Sequence, residues 1–205
     1  MGALVICILA GTVLTSVAVW VGWATAAIDS HPLVRFVGWW LDRIVLPQVT
    51  AGRWIRRAAA IAVNNLLILA GLMVLGRWLI AVLFAIAGCG VAMGIALRLL
   101  PGLPGGTRLA NAGESAYGTW RMRVGVGLNL LEPPAIVVAL GLAIGRSAIP
   151  LSDLGAWGGF VTWVIPAMLV AAGGEALWLG VLLEGGGGPA SVEPEHDEPD
   201  QDDGG

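Results

Sequence analysis

The chain has 205 residues, of which 57% are hydrophobic and only 12% charged, with a mean hydropathy of +0.83. Soluble domains run near a quarter charged, and no water-soluble fold of this length has a core able to hide so much apolar surface, which excludes an ordinary soluble enzyme. The formal net charge of −3 averages two unlike parts: eight of the fourteen acidic residues lie from Glu184 onward, whereas the rest of the chain sets eleven arginines against six acids, a net of +5.

A helix needs roughly 20 apolar residues to cross the hydrocarbon, and all its backbone polar groups must be paired internally. Five stretches meet that demand: 3–28, 58–76, 78–97, 124–145 and 156–183. The fold class expected is therefore all-α, a polytopic transmembrane helix bundle of about five spans. Residues 1–28 form the first span, and its length without a basic leader favours a retained helix over a cleaved signal peptide. Residues 29–57 are rich in arginine. Within them Leu33, Phe36, Val37, Trp40, Leu41 and Ile44 recur at helical spacing, with Arg35, Asp42 and Arg43 off that face. This pattern predicts a short helix lying in the membrane interface.

Residues 58–183 then make a four-helix membrane core, in which only Gly76-Arg77-Trp78 separates the second and third spans. A tight helical hairpin is expected there, because 40 apolar residues in one helix exceed any bilayer. The last segment, 184–205, is glycine-rich, acidic and proline-containing, the composition of a disordered tail. Five arginines fall between the first two spans and four between the third and fourth, against one in each other connection. The positive-inside rule then predicts a multi-pass protein of the cell membrane with its N-terminus outside and its C-terminus in the cytoplasm.

Polar residues inside apolar spans carry the most information. A charged side chain at mid-bilayer costs about 2.5–3.5 kcal/mol even on the most lenient scale, so such groups face protein or water. Asn64 and Asn65 lie in the second span, Glu132 in the fourth and Glu175 in the fifth. Counted from the arginine-rich side at 1.5 Å per residue, Asn65, Glu132, Glu175 and Gly90 all fall roughly 12–14 Å deep. This predicts one polar layer of Asn64, Asn65, Gly90, Glu132, Pro133, Pro134 and Glu175. The Glu132-Pro133-Pro134 run removes two backbone donors, so the fourth span should kink or restart. A restart at Pro133 would make Glu132 the cap of a half-helix whose positive end favours a carboxylate. A structural role, with the carboxyls hydrogen-bonded to Asn65, competes with a functional one. Gly90 with Gly94, and Gly141 with Gly145, make two G-x-x-x-G steps for close helix packing. Two segments ending Gly76-Arg77 and Gly145-Arg146 echo one another faintly.

These residues also carry a resemblance. Asn64-Asn65-Leu66 with Gly76, then Cys89-Gly90 with Gly94, then Glu132-Pro133-Pro134-Ala135-Ile136 with Gly141 and Gly145, and finally Glu175-Ala176, run in order from Asn64 to about Trp178. In this the chain resembles the stage II sporulation protein M family of polytopic membrane proteins. It departs from the family pattern at Leu128-Asn129, where members have His-Gly, and at Cys89, where they have Asn. The resemblance implies a membrane component working in a complex with partner proteins; sporulation members do so at the septal membrane, with a peptidoglycan hydrolase.

The residues themselves show no nucleophile–base pair, no cofactor motif and no nucleic-acid module. Cys7 and Cys89 make no metal spacing, and His31 and His196 lie in a loop and in the tail. No catalytic residue, cofactor, metal or nucleic-acid partner is expected. The expected partners are the lipid bilayer and other membrane proteins or further copies of the chain. The competing expectation is a small transporter or channel subunit in which Glu132 and Glu175 take a cation or proton.

Overall fold

The computed structural model describes residues 2–50, 53–102, 119–149 and 151–185. All the secondary structure among them is helical, and five spans are long and apolar enough to cross a membrane: Gly2–Thr25, Trp54–Leu75, Leu79–Gly102, Trp120–Ala148 and Asp153–Leu182. The acidic segment after Gly185 and residues 103–118 lie outside the described residues. The first helix, α1 (Gly2–Thr25), is followed by the short α2 (Pro32–Trp40) and α3 (Leu46–Thr50). Two long helices, α4 (Trp54–Leu75) and α5 (Leu79–Leu99), form the tight hairpin. The fourth span is broken into α6 (Trp120–Asn129) and α7 (Glu132–Ala148), and the fifth comprises α8 (Asp153–Gly159) and α9 (Ile165–Gly185).

Large apolar side chains such as Ile6, Leu9, Trp20, Leu67, Ile80 and Phe84 are exposed, as lipid-facing residues are. The core runs through the middle of the bundle, where Met73, Val82, Ile86, Ala143, Val164 and Met168 are fully covered.

The helices fall into two packed groups. In one, α1 lies against both α5 and α7; in the other, α9 lies against both α6 and α4, and α4 also packs on α7. Association of helices in lipid depends on close packing, since apolar side chains gain little by leaving lipid. Glycine lets the backbones meet. A side chain at Gly22 of α1 would run into the Val91 carbonyl of α5, and one at Gly94 of α5 into the Val19 carbonyl of α1. At Gly90 an added carbon would sit 2.6 Å from the Ala18 methyl. The second G-x-x-x-G step behaves differently. Gly141 meets Ile8 of α1, but the nearest neighbours of a carbon added at Gly145 are Ile149 and Leu151 of its own following segment. A pairing outside both steps, Gly125 with Gly174, brings α6 and α9 together: a carbon added at Gly125 would lie 2.8 Å from the Gly174 carbonyl.

Prolines shape two further elements. A π-helical turn at Leu41–Val45 precedes Pro47, and another at Phe160–Val164 precedes Pro166. Proline cannot donate to the carbonyl four residues back and its ring crowds that carbonyl; a widened turn relieves the clash without ending the helix.

The segment after α1 is helical as its periodicity implies, but its buried face is narrower. Val34, Val37 and Leu41 pack with Ala26 and Ile95, whereas Leu33, Phe36 and Ile44 stay exposed. Its start is capped by His31, whose Nδ1 accepts from the Leu33 amide at 3.3 Å. The α4 helix begins at Trp54, ahead of the span read from hydropathy, so Arg56 and Arg57 lie within it.

The ends of α1 and α5 that flank the arginine-rich connections meet: Arg98 at the end of α5 donates to the Trp23 carbonyl of α1 at 3.2 Å and lies over the Trp23 ring. At the other end the two echoing arginines converge. Asp153 accepts from Arg77 at 2.7 Å and from Arg146 Nη2 at 2.6 Å, while Arg146 Nη1 donates to the Met73 carbonyl. The Arg146 side chain is buried there, with its guanidinium 5.7 Å from the Trp157 ring centroid.

The glycine contacts give the first prediction. Gly94→Val should lower stability by about 1–3 kcal/mol or more, because it overpacks a backbone contact. Gly88→Ala in the same helix meets open space and should leave stability unchanged or slightly raised. Thermal unfolding of the purified protein in detergent separates the two.

Candidate functional site: an intramembrane polar cavity

The fourth span breaks where its sequence removes backbone donors. Helix α6 ends at Asn129, and α7 starts at Glu132 with Pro133 and Pro134 in its first turn. Proline suits a first turn, where the amide hydrogen has no intrahelical partner. The restart comes one residue earlier than a start at Pro133 requires. Leu131 therefore holds the cap position, with no side-chain capping bond, and Glu132 is the first residue of the helix. Its carboxyl still sits at the positive end of α7.

Across from it, Asn65 of α4 donates from Nδ2 to Glu132 Oε1 at 3.0 Å. Asn64 donates in turn from Nδ2 to Asn65 Oδ1 at 3.3 Å. A short chain of polar contacts thus runs Asn64–Asn65–Glu132. Asn65 and Glu132 share a cavity of about 580 Å³ with Glu175 of α9, and Thr15 of α1 and Cys89 and Gly90 of α5 also line it. The rest of its wall is mainly apolar, including Phe36, Val37 and Trp40 from the α2 helix. Elements from both helix groups therefore meet around one space.

The residues singled out in the sequence divide by position. Asn65, Gly90, Glu132 and Glu175 line the cavity; Asn64 stands behind Asn65 and orients it; Pro133 and Pro134 shape the helix start. Gly90 also serves packing, since α1 passes against it at Ala18 and Thr15. Asn129, which the sequence marks only as a departure from the family pattern, belongs beside this layer. Its Oδ1 is buried and, among the described residues, has no hydrogen-bond partner. Its backbone amide lies against Gly174, the residue before Glu175. The signal for it was available: an amide side chain ending a half-helix three residues before Glu132. The sequence pattern places Trp40 and Val37 of α2 at the membrane interface, and the tertiary structure brings them to the cavity wall.

Two carboxyls and an amide in a mainly apolar wall can accept hydrogen bonds from an ammonium or guanidinium, hold a proton, or take a cation. Among the described residues, no three His, Cys, Asp or Glu side chains group as metal ligands do.

Comparison with known protein families, curated proteins and solved structures finds no match in any of the three. The chain is a polytopic helical membrane protein, and the sporulation protein M resemblance rests on the residues quoted above alone.

The hydrogen bond itself generates a prediction. Interhelical bonds in membrane proteins contribute about 0.5–1.5 kcal/mol. Asn65→Ala and Glu132→Ala should each lower stability by at least that order, and the double variant by less than their sum, because both remove one interaction. A double-mutant cycle on detergent unfolding measures the coupling; full additivity would show that the contact contributes nothing.

Proposed function

We propose that this chain is a non-enzymatic membrane component that assembles with other membrane proteins, as the resemblance to the stage II sporulation protein M family implies. The arginine-rich end of the bundle faces the cytoplasm in this reading, as positive-inside arginine placement requires. The observation that carries the proposal is the cavity of about 580 Å³ that α1, α4, α5, α7 and α9 leave among themselves, with Asn65, Glu132 and Glu175 in its wall. Carboxyls among helices gain from a donor-bearing side chain that enters and answers them. An apolar wall with a few convergent polar groups suits the side chains of a partner helix. No sporulation role is carried over, because the positions where family members have His-Gly and Asn are Leu128-Asn129 and Cys89 here.

Filling the cavity tests this. Ala92 lines it and is half-buried. Ala92→Trp should release the proteins that co-purify with the tagged chain from its own membrane, while the variant remains monodisperse and helical. A wild-type chain that purifies bare and monomeric, with no partner and no self-association, overturns the proposal.

A second reading has its own support: Glu132 and Glu175 lie on one cavity, as a proton or cation site in a small transporter or channel subunit requires. In that case Glu132→Gln and Glu175→Gln abolish cation or proton flux into liposomes and leave the fold intact. Unchanged flux in both variants removes this reading, and failure of both to fold assigns the carboxyls to structure.

A further inference from the structure

A second cavity, of about 340 Å³, lies at the arginine-rich end of the bundle, between the starts of α4 and α6 and the last turns of α9. Arg53, Arg57 and Arg121 line it, together with Trp54, Ala176 and Gly180. Arg57 is buried and fixed in place: its Nη1 donates to the Ala176 carbonyl at 3.2 Å. The tight fit depends on Gly180, where an added carbon would stand 3.0 Å from Arg57 Nη1.

Three arginines line one concave site, and the guanidinium is the side-chain group whose geometry best suits phosphate oxygens. The backbone adds to them. Helices α4 and α6 both begin beside this cavity, and a helix start turns partial positive charge toward an anion, even where, as at α6, Thr119 already accepts from the Met122 amide at 3.3 Å. Arg53 stands at the cap of α4, where its carbonyl accepts from the Arg56 and Arg57 amides and its guanidinium, having no acceptor, cannot compete with an anion for the helix start. Trp54, about half exposed, has the character of an interfacial anchor at headgroup level. Basic clefts between spans at the cytoplasmic face are suited to anionic headgroups.

We infer that the Arg53–Arg57–Arg121 cavity binds a phosphate group, supplied by an anionic phospholipid headgroup. Site binding of this kind differs from the diffuse attraction that any arginine-rich surface exerts. It predicts one tightly held lipid per chain, dependent on the arginines that line the cavity and indifferent to those that do not.

The experiment uses the full chain in detergent and native mass spectrometry, with phosphatidylglycerol, cardiolipin and phosphatidylcholine each added in turn. The wild type should retain one anionic lipid per chain, at least tenfold more strongly than phosphatidylcholine. Arg53→Gln with Arg121→Gln should weaken that retention tenfold or more. Arg56→Gln with Arg123→Gln changes net charge equally at exposed positions outside the cavity lining, and should alter retention less than twofold. Inorganic phosphate alone, added to lipid-free protein, distinguishes the source. Displacement of the lipid by millimolar phosphate would assign the site to a free phosphate group, whereas failure to displace it assigns it to the headgroup. Equal retention of phosphatidylcholine overturns the inference. So does equal loss in the two arginine pairs, which would reduce the binding to surface charge. If the cavity variants do not fold, the wild-type lipid selectivity and stoichiometry decide the matter.

Discussion

Asn65 of α4 donates to Glu132 of α7 between the two helix groups that make up the bundle. Inside a protein surrounded by lipid, a carboxyl has few places to go, and its cost falls only where a donor is held in reach. That requirement bears on several features at once. The fourth span must break to place Glu132 at a helix start. Helix α4 must turn Asn65 toward it, and α5 and α9 must stand far enough off to leave space around the pair. The cavity is the consequence, since polar groups so placed prevent the two helix groups from closing completely.

Close backbone contact elsewhere holds the bundle around that space. Gly22 and Gly94 let α1 and α5 touch, Gly141 lets α7 approach Ile8, and Gly125 with Gly174 joins α6 to α9. These contacts are dense and apolar, so they add packing without polar cost. At the end away from the arginine-rich loops, Asp153 gathers Arg77 and Arg146 and ties the α4–α5 turn to the end of α7 and the start of α8. The two cavities fall on neighbouring residues of α9: Glu175 lines the larger and Ala176 the smaller. A rotation of α9 about its axis would therefore alter both together, which gives the helix the geometry of a shared wall between an acidic site and a basic one.

Much of this was legible in the residue order. Charge-free runs of sufficient length determine helical spans, because nothing else satisfies a backbone in lipid. The Glu132-Pro133-Pro134 sequence determines a break, because the missing donors are a covalent fact. Asn65, Gly90, Glu132 and Glu175 stand at similar counts from flanking charges in the sequence, and the structure sets all four around one cavity.

Which way each residue faces was not legible, since rotation of a nearly uniform apolar helix leaves no periodic trace: α1, α5 and α9 present similar residues all round. Contacts therefore chose the partners. Only packing revealed that Gly145 of a G-x-x-x-G step meets its own chain, that Gly125 and Gly174 form a pair, and that Arg77 and Arg146 share one aspartate. Packing likewise buried the Asn129 oxygen and gave Arg57 the Ala176 carbonyl. The sequence by itself determined that there are five apolar spans and that the fourth is interrupted at its paired prolines, both of which follow from the order of residues along one chain. The tertiary structure decided which polar groups touch, because contacts between helices depend on rotation and crossing, and in lipid no gradient of hydrophobicity fixes either.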